Sequence, residues 1–194
     1  MYNYKVEKLA ELEKLSKNGL IDLFYGDESH AGGEPLCSEG YVPYGWQFPG
    51  EKVCILSEKG HKINCFGLIS RCNQFHWATT EQNIDSIFIK EFLDDLSLKI
   101  KKDTFLVLDN ASIHRAKIIQ ELIPYWEKRG LFILYLPPYS PELNLAETVW
   151  RKMKGEWIDP DDYLEKDSLF YAVNRFLANL GKNITINFSN FNLN

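Results

Sequence analysis

The chain has 194 residues, 45% hydrophobic and 25% charged, with a formal net charge of -5. This composition suits one ordinary domain with a sizeable core. An acidic balance argues against a dedicated nucleic-acid-binding module, which carries a basic footprint. No apolar stretch is long enough for a membrane span, and the first residues hold no apolar signal segment. Cys37, Cys54, Cys65 and Cys72 lack any Cys-x-x-Cys spacing. That disfavours zinc and points to reduced thiols in the cytoplasm.

In chain order, Val6, Leu9, Leu12 and Leu15 space a short helix over residues 4–17, stopped by Asn18-Gly19. Residues 1–19 are therefore expected to form a docking or linker helix ahead of a main domain over 20–181. Leu20 to Tyr25 predicts a strand that ends in Gly26-Asp27-Glu28-Ser29. Residues 29–50 are rich in Gly and Pro and predict a long loop, with Tyr41, Tyr44, Trp46 and Phe48 to pack it on something. Val53–Leu56 is a possible short strand, and 62–69 with 74–79 reads as a hairpin.

Asn83 is the expected cap of a helix running to about Lys101, with Ile84, Ile87, Phe88, Phe92, Leu96 and Ile100 on one face. Phe105–Leu108 is a buried strand that stops at Asp109. Ser112 or His114 would open the next helix, kinked or stopped near Ile123 by Pro124. Leu131–Leu136 is the last core strand. Residues 144–157 and 168–180 read as helices, and 182–194 as a fraying tail. A hairpin followed by alternating helices and strands predicts an α/β fold with a mixed sheet. The strands ending in Asp27 and Asp109 can then lie side by side.

At 100° per residue, the helix from Asn144 buries Ala146, Val149, Trp150, Met153 and Trp157. Glu147, Arg151 and Lys154 share the neighbouring arc. A solvated Glu–Arg pair explains that arc as readily as a site does. Each strand-end Asp is by itself as good a turn former as a ligand. Together, Asp27, Asp109 and Glu147 could converge. Three unpaired carboxylates repel, and Mg²⁺ or Mn²⁺ is the usual remedy. The residues thus point to a metal-dependent nuclease or phosphoryl-transfer site.

Leu-Val-Leu-Asp-Asn-Ala-Ser-Ile-His (106–114) and Leu-Pro-Pro-Tyr-Ser-Pro-Glu-Leu-Asn-Leu-Ala-Glu-Thr-Val-Trp (136–150) resemble the catalytic core of DDE transposases. The closest likeness is to the six-thirty family of bacterial insertion sequences, relatives of the mariner transposons. Asp-Glu-Ser (27–29) is similar to the family's first acidic motif, and Gly45-Trp46 to a feature of its long loop. Residues 110–146 separate the last two acids.

The resemblance implies an RNase H-like fold and cleavage and strand transfer at transposon ends in a bacterial cytoplasm. It implies two Mg²⁺ ions, for which Mn²⁺ can substitute. Asp27, Asp109 and Glu147 would be the catalytic and metal-binding triad, with Asp27 bridging both ions. Asn110 and His114 match accessory positions; His114 would orient a phosphate or merely cap its helix. DNA is the implied partner, with Arg115, Arg151, Lys152 and Lys154 as a basic patch beside the acids.

The chain departs from the family at Leu145, where Pro is usual. It also has only about 20 residues before the first strand, where relatives carry a helix-turn-helix DNA-recognition region. That missing region would hold the expected basic charge. The implied assembly is a homodimer on DNA, with 32–50 as a clamp between subunits or as a loop folded over its own domain. The alternative function is a silent remnant that binds DNA or a full-length transposase. A nuclease acting on RNA–DNA hybrids is the weaker third reading.

Overall fold

The structure, a computed structural model, describes residues 2–32 and 61–189. The expected strand at Val53–Leu56 and nearly all of the 32–50 loop, Trp46 included, lie outside the described residues. The elements run α1 (Tyr2–Lys17), β1 (Asp22–Gly32), β2 (Lys62–Ile69), β3 (Phe75–Thr80), α2 (Ser86–Lys99), β4 (Thr104–Leu108), α3 (Lys117–Lys128), β5 (Leu131–Tyr135), α4 (Leu145–Lys152) and α5 (Lys166–Asn179). No helix among the described residues is long and apolar enough to cross a membrane.

The five strands form one mixed sheet in the order β3-β2-β1-β4-β5. The β1–β2 and β2–β3 pairs are antiparallel, and β1–β4 and β4–β5 are parallel. Side chains alternate across a strand, and both faces are apolar. Leu23, Tyr25, Ile63, Cys65, Ile69 and Val107 pack with Leu9, Val149, Trp150, Val173 and Phe176, so α1, α4 and α5 cover one face. Phe24, Phe66, Leu68, Leu106 and Leu108 pack with Ile89, Leu93, Ile119 and Trp126, so α2 and α3 cover the other. Gly67 is needed here: a Cβ on it would lie 2.9 Å from the Trp150 ring and 2.8 Å from Phe75.

Several local expectations are corrected by tertiary contacts. β1 does not end before Asp27. Pairing with β2 carries it through Asp27, opposite Gly67, to Gly32. Helix α2 is capped by Asp85, not Asn83; its carboxylate accepts from the Ile87 and Phe88 amides. Its buried apolar residues are Ile89, Leu93 and Leu96, while Ile87 is exposed. Pro124 does not stop α3, which continues to Lys128. The far half is held by buried Trp126, whose indole donates to Asp94, and by Arg129 on the same carboxylate.

After Lys152, helix α4 widens into a π turn over Met153–Trp157. The added residue breaks the 100° step, so Ile158 is buried and Trp157 is 40% exposed instead of lying in the core. The tail is docked as far as Ser189. Asn73 bonds both the N–H and the carbonyl of Ile186, which is buried. Arg71 bonds the Ser189 carbonyl and forks onto Glu13 of α1, and Glu13 also accepts from the Tyr25 hydroxyl.

Candidate active site

Strand register places the acids. β1 and β4 pair in parallel from Asp22 with Thr104 to Tyr25 with Val107. The same offset sets Asp27 beside Asp109, just past the end of β4. Asp27 has the parity of Leu23 and Tyr25, so it lies on the face covered by α4. Asn144 fixes the start of α4 on β1. Its side-chain oxygen caps the Ala146 amide, and its amide donates to the Gly26 carbonyl at 3.0 Å. Glu147 follows in the first turn.

Asp27, Asp109 and Glu147 line one open cleft of about 540 Å³, together with Asn110, Arg115, Asn144 and residues 136–141. Asp27 is buried at 9% exposure. Burial raises its carboxyl to about 8, reinforced by the charges of Glu28, Glu147 and Asp109. Asp109 is held below the usual carboxylate range, first by the hydrogen bond from His114 and then by the Ala111 amide.

His114 is fully buried and stands between two acids. Its Nδ1 is 2.7 Å from Asp109 Oδ1, and its Nε2 is 3.2 Å from Glu28 Oε2. The second contact is an ion pair without hydrogen-bond alignment, and both of its atoms lack another partner. Burial works against a charged imidazole, but the two carboxylates outweigh it and lift His114 to about 9. His114 therefore does not cap α3, and neither does Ser112. The cap position is Ala116, which makes no side-chain bond.

Glu28 escaped the sequence reading. Its neighbour Asp27 faces α4, while the alternation of the strand turns Glu28 toward His114. The Asn110 amide donates to the Leu136 carbonyl, which also accepts from Lys5, and its oxygen accepts from Arg115. Asn110 thus braces the segment after Asp109 against the end of β5.

Of the four basic residues expected near the acids, Arg115 alone lines the cleft. Lys152 pairs with Glu156, and Arg151 and Lys154 are exposed further along the α4 segment. No Glu147–Arg151 ion pair forms among the described residues.

The oxygen donors suit a hard divalent cation. Asp27, buried among three other acids, is the charge imbalance such an ion relieves. Among the described residues, no three acidic, His or Cys side chains already stand at ligating spacing. Glu147 is exposed.

The fold is shared with solved transposase structures. The Mos1 mariner paired-end complex with Mn matches with a TM-score of 0.57 at 15% identity, over 90% of this chain and 54% of that one. The Mos1 paired-end complex with the left transposon end matches at 0.54 and 16% identity, over 92% and 61%. The Mos1 strand transfer complex matches at 0.52 and 18% identity, over 94% and 58%. The chain thus spans little more than half the length of those proteins. At these identities the likeness is one of fold, and that fold is RNase H-like. No curated protein matches the chain. The family profile described as DDE superfamily endonuclease matches residues 22–169. The chain belongs to that family of endonucleases.

Proposed function

We propose that this chain is the catalytic part of a transposase that cuts DNA at transposon ends and joins the freed 3′ ends to a target. Asp27, Asp109 and Glu147 are its catalytic, metal-binding triad. The observation that carries the reading is the convergence of these acids, from β1, the end of β4 and the first turn of α4, on one cleft. The family membership supports strand cleavage. Of the Mos1 neighbours, one is a paired-end complex with Mn and another a paired-end complex with the left transposon end.

Two divalent ions, Mg²⁺ or Mn²⁺, would activate the attacking water or 3′-hydroxyl and stabilise the leaving oxygen. The chain's own residues do the rest. Asp27 presents a rigid buried carboxylate. His114 and the Ala111 amide hold Asp109 by a single oxygen, which fixes its orientation. Asn144 sets the distance of Glu147 from β1. Arg115 supplies a cation for a phosphate inside the cleft, and Arg151 and Lys154 supply further ones along α4. Two copies of the chain working on paired ends is the assembly this reading implies.

Nicking of supercoiled plasmid with Mn²⁺, with Mg²⁺ and with chelator tests the proposal. Wild type should nick with either metal and not with chelator. Asp27→Asn, Asp109→Asn and Glu147→Gln should each abolish nicking. Nicking that survives any of the three substitutions excludes the triad. A wild type that binds DNA but never nicks it favours the silent remnant.

A further inference from the structure

We propose that Tyr139 is a stacking platform for one unpaired nucleobase at the mouth of the cleft, a role that rests on the DNA-cleavage reading above. Tyr139 has φ 57, in the left-handed region that a residue with a Cβ seldom adopts. Its side chain is fully exposed, at 101%. Among the described residues no hydrogen bond or ring contact uses this ring, and Gly or Asn would suit the backbone better.

The contrast is Asn73, the other non-glycine residue with positive φ among the described residues. Asn73 is a residue type that tolerates this conformation, and its side chain ties down Ile186. Tyr139 makes no hydrogen bond or ring contact among the described residues. Backbone strain kept without a structural return is a mark of function.

The segment around Tyr139 is conformationally restricted. Pro137, Pro138 and Pro141 restrict the chain on both sides. Ser140 is buried, and its carbonyl accepts the Leu143 amide. The ring therefore projects from a fixed lip, and it lines the same cleft as the three acids and Arg115. Its occupant needs an uncharged π face next to an anionic backbone held by metal and arginine. A nucleobase next to the scissile phosphate meets both conditions. In a duplex that face is covered by its neighbour, so the base must be unpaired or turned out of the stack.

The test uses the full chain with Ca²⁺ and a short duplex carrying 2-aminopurine in a three-nucleotide single-stranded overhang. A fully paired duplex serves as control. Wild type should quench the 2-aminopurine, and Tyr139→Trp should keep the quench. Tyr139→Gly should lose it and bind the overhang DNA about tenfold more weakly, with less than twofold change on the paired duplex. Its Tm should be no lower than wild type, because glycine relieves the positive φ.

Equal quenching and affinity in wild type and Tyr139→Gly overturns the stacking role. Equal losses on both duplexes also overturn it, since they would mean general surface binding. A glycine variant that keeps the quench but loses a sedimenting dimer makes the ring a protein contact instead. Should wild type neither bind nor nick DNA, the cleavage reading falls and this one with it. If wild type nicks plasmid while the glycine variant stacks normally, only the stacking role falls.

Discussion

Asp27→Asn should stabilise the metal-free protein at alkaline pH while removing its response to metal. In the unfolded chain Asp27 ionises near its ordinary value of 3.8, whereas in the fold it keeps its proton to about 8. Between those values the folded state holds one more proton than the unfolded state. Stability therefore falls as pH rises through this window. Each pH unit there is worth about 1.4 kcal/mol, so from pH 5 to pH 8 wild type loses about 4 kcal/mol on account of this side chain. Asparagine is nearly isosteric with the protonated acid and does not titrate.

The gap between variant and wild type should accordingly widen by about 4 kcal/mol over that range, or roughly 10 °C in Tm for a chain of this size. Thermal unfolding in chelator, at half-unit steps from pH 5 to 8, measures it. Adding Mg²⁺ at pH 8 should restore the wild type and leave the variant unmoved. A gap that stays constant within about 1 kcal/mol across the range would refute the claim that Asp27 is crowded by burial and like charge.

Removing the imidazole in His114→Ala frees Asp109 and leaves Glu28 without its cation; Mn²⁺ affinity by calorimetry should fall about tenfold. Folded His114 titrates near 9 rather than at its ordinary 6.5. Its contribution is therefore complete below pH 6.5 and lost as pH rises through 9, and the alanine variant should show a flatter stability profile over that interval. Asn144→Ala removes a helix cap and the bond to Gly26; denaturant melts should show a loss of about 1–2 kcal/mol, and nicking should weaken beyond what that loss explains. Arg71→Ala leaves Glu13 mostly buried without its cation. About 3 kcal/mol should be lost, and proteolysis should then release the segment after Gly181.

Legibility followed the range of the forces involved. Phe105–Leu108 and Leu131–Tyr135 were readable because a strand buried on both faces needs an unbroken apolar run, and both runs sit where the sheet has them. Asp109 was readable because a charge stops such a run. The start of α4 at Asn144 was readable because a cap is a local bond. The far end of α4 was not, since one extra residue in a π turn leaves no mark on composition and rotates everything after it. The continuation of β1 through Asp27 was hidden for a different reason. Gly-Asp-Glu-Ser has poor strand propensity, and only the ladder to β2 holds it extended.

Several of these departures meet at the cleft. β1 runs on through a polar stretch that local preference would turn into a loop. His114 lies inside the protein instead of capping a helix that starts three residues later. Tyr139 sits in a conformation that suits glycine. Each is unfavourable taken singly. The first two are held by contacts made far along the chain, Gly67 opposite Asp27 and Glu28 against His114, and the third by the local bond between Leu143 and Ser140. A chain selected only for stability would have no reason to keep such conflicts side by side. Their concentration around Asp27 and Asp109 supports the site proposed above. On that ground the proposed site extends to Glu28 and Tyr139, although neither stood out as a site residue in the sequence.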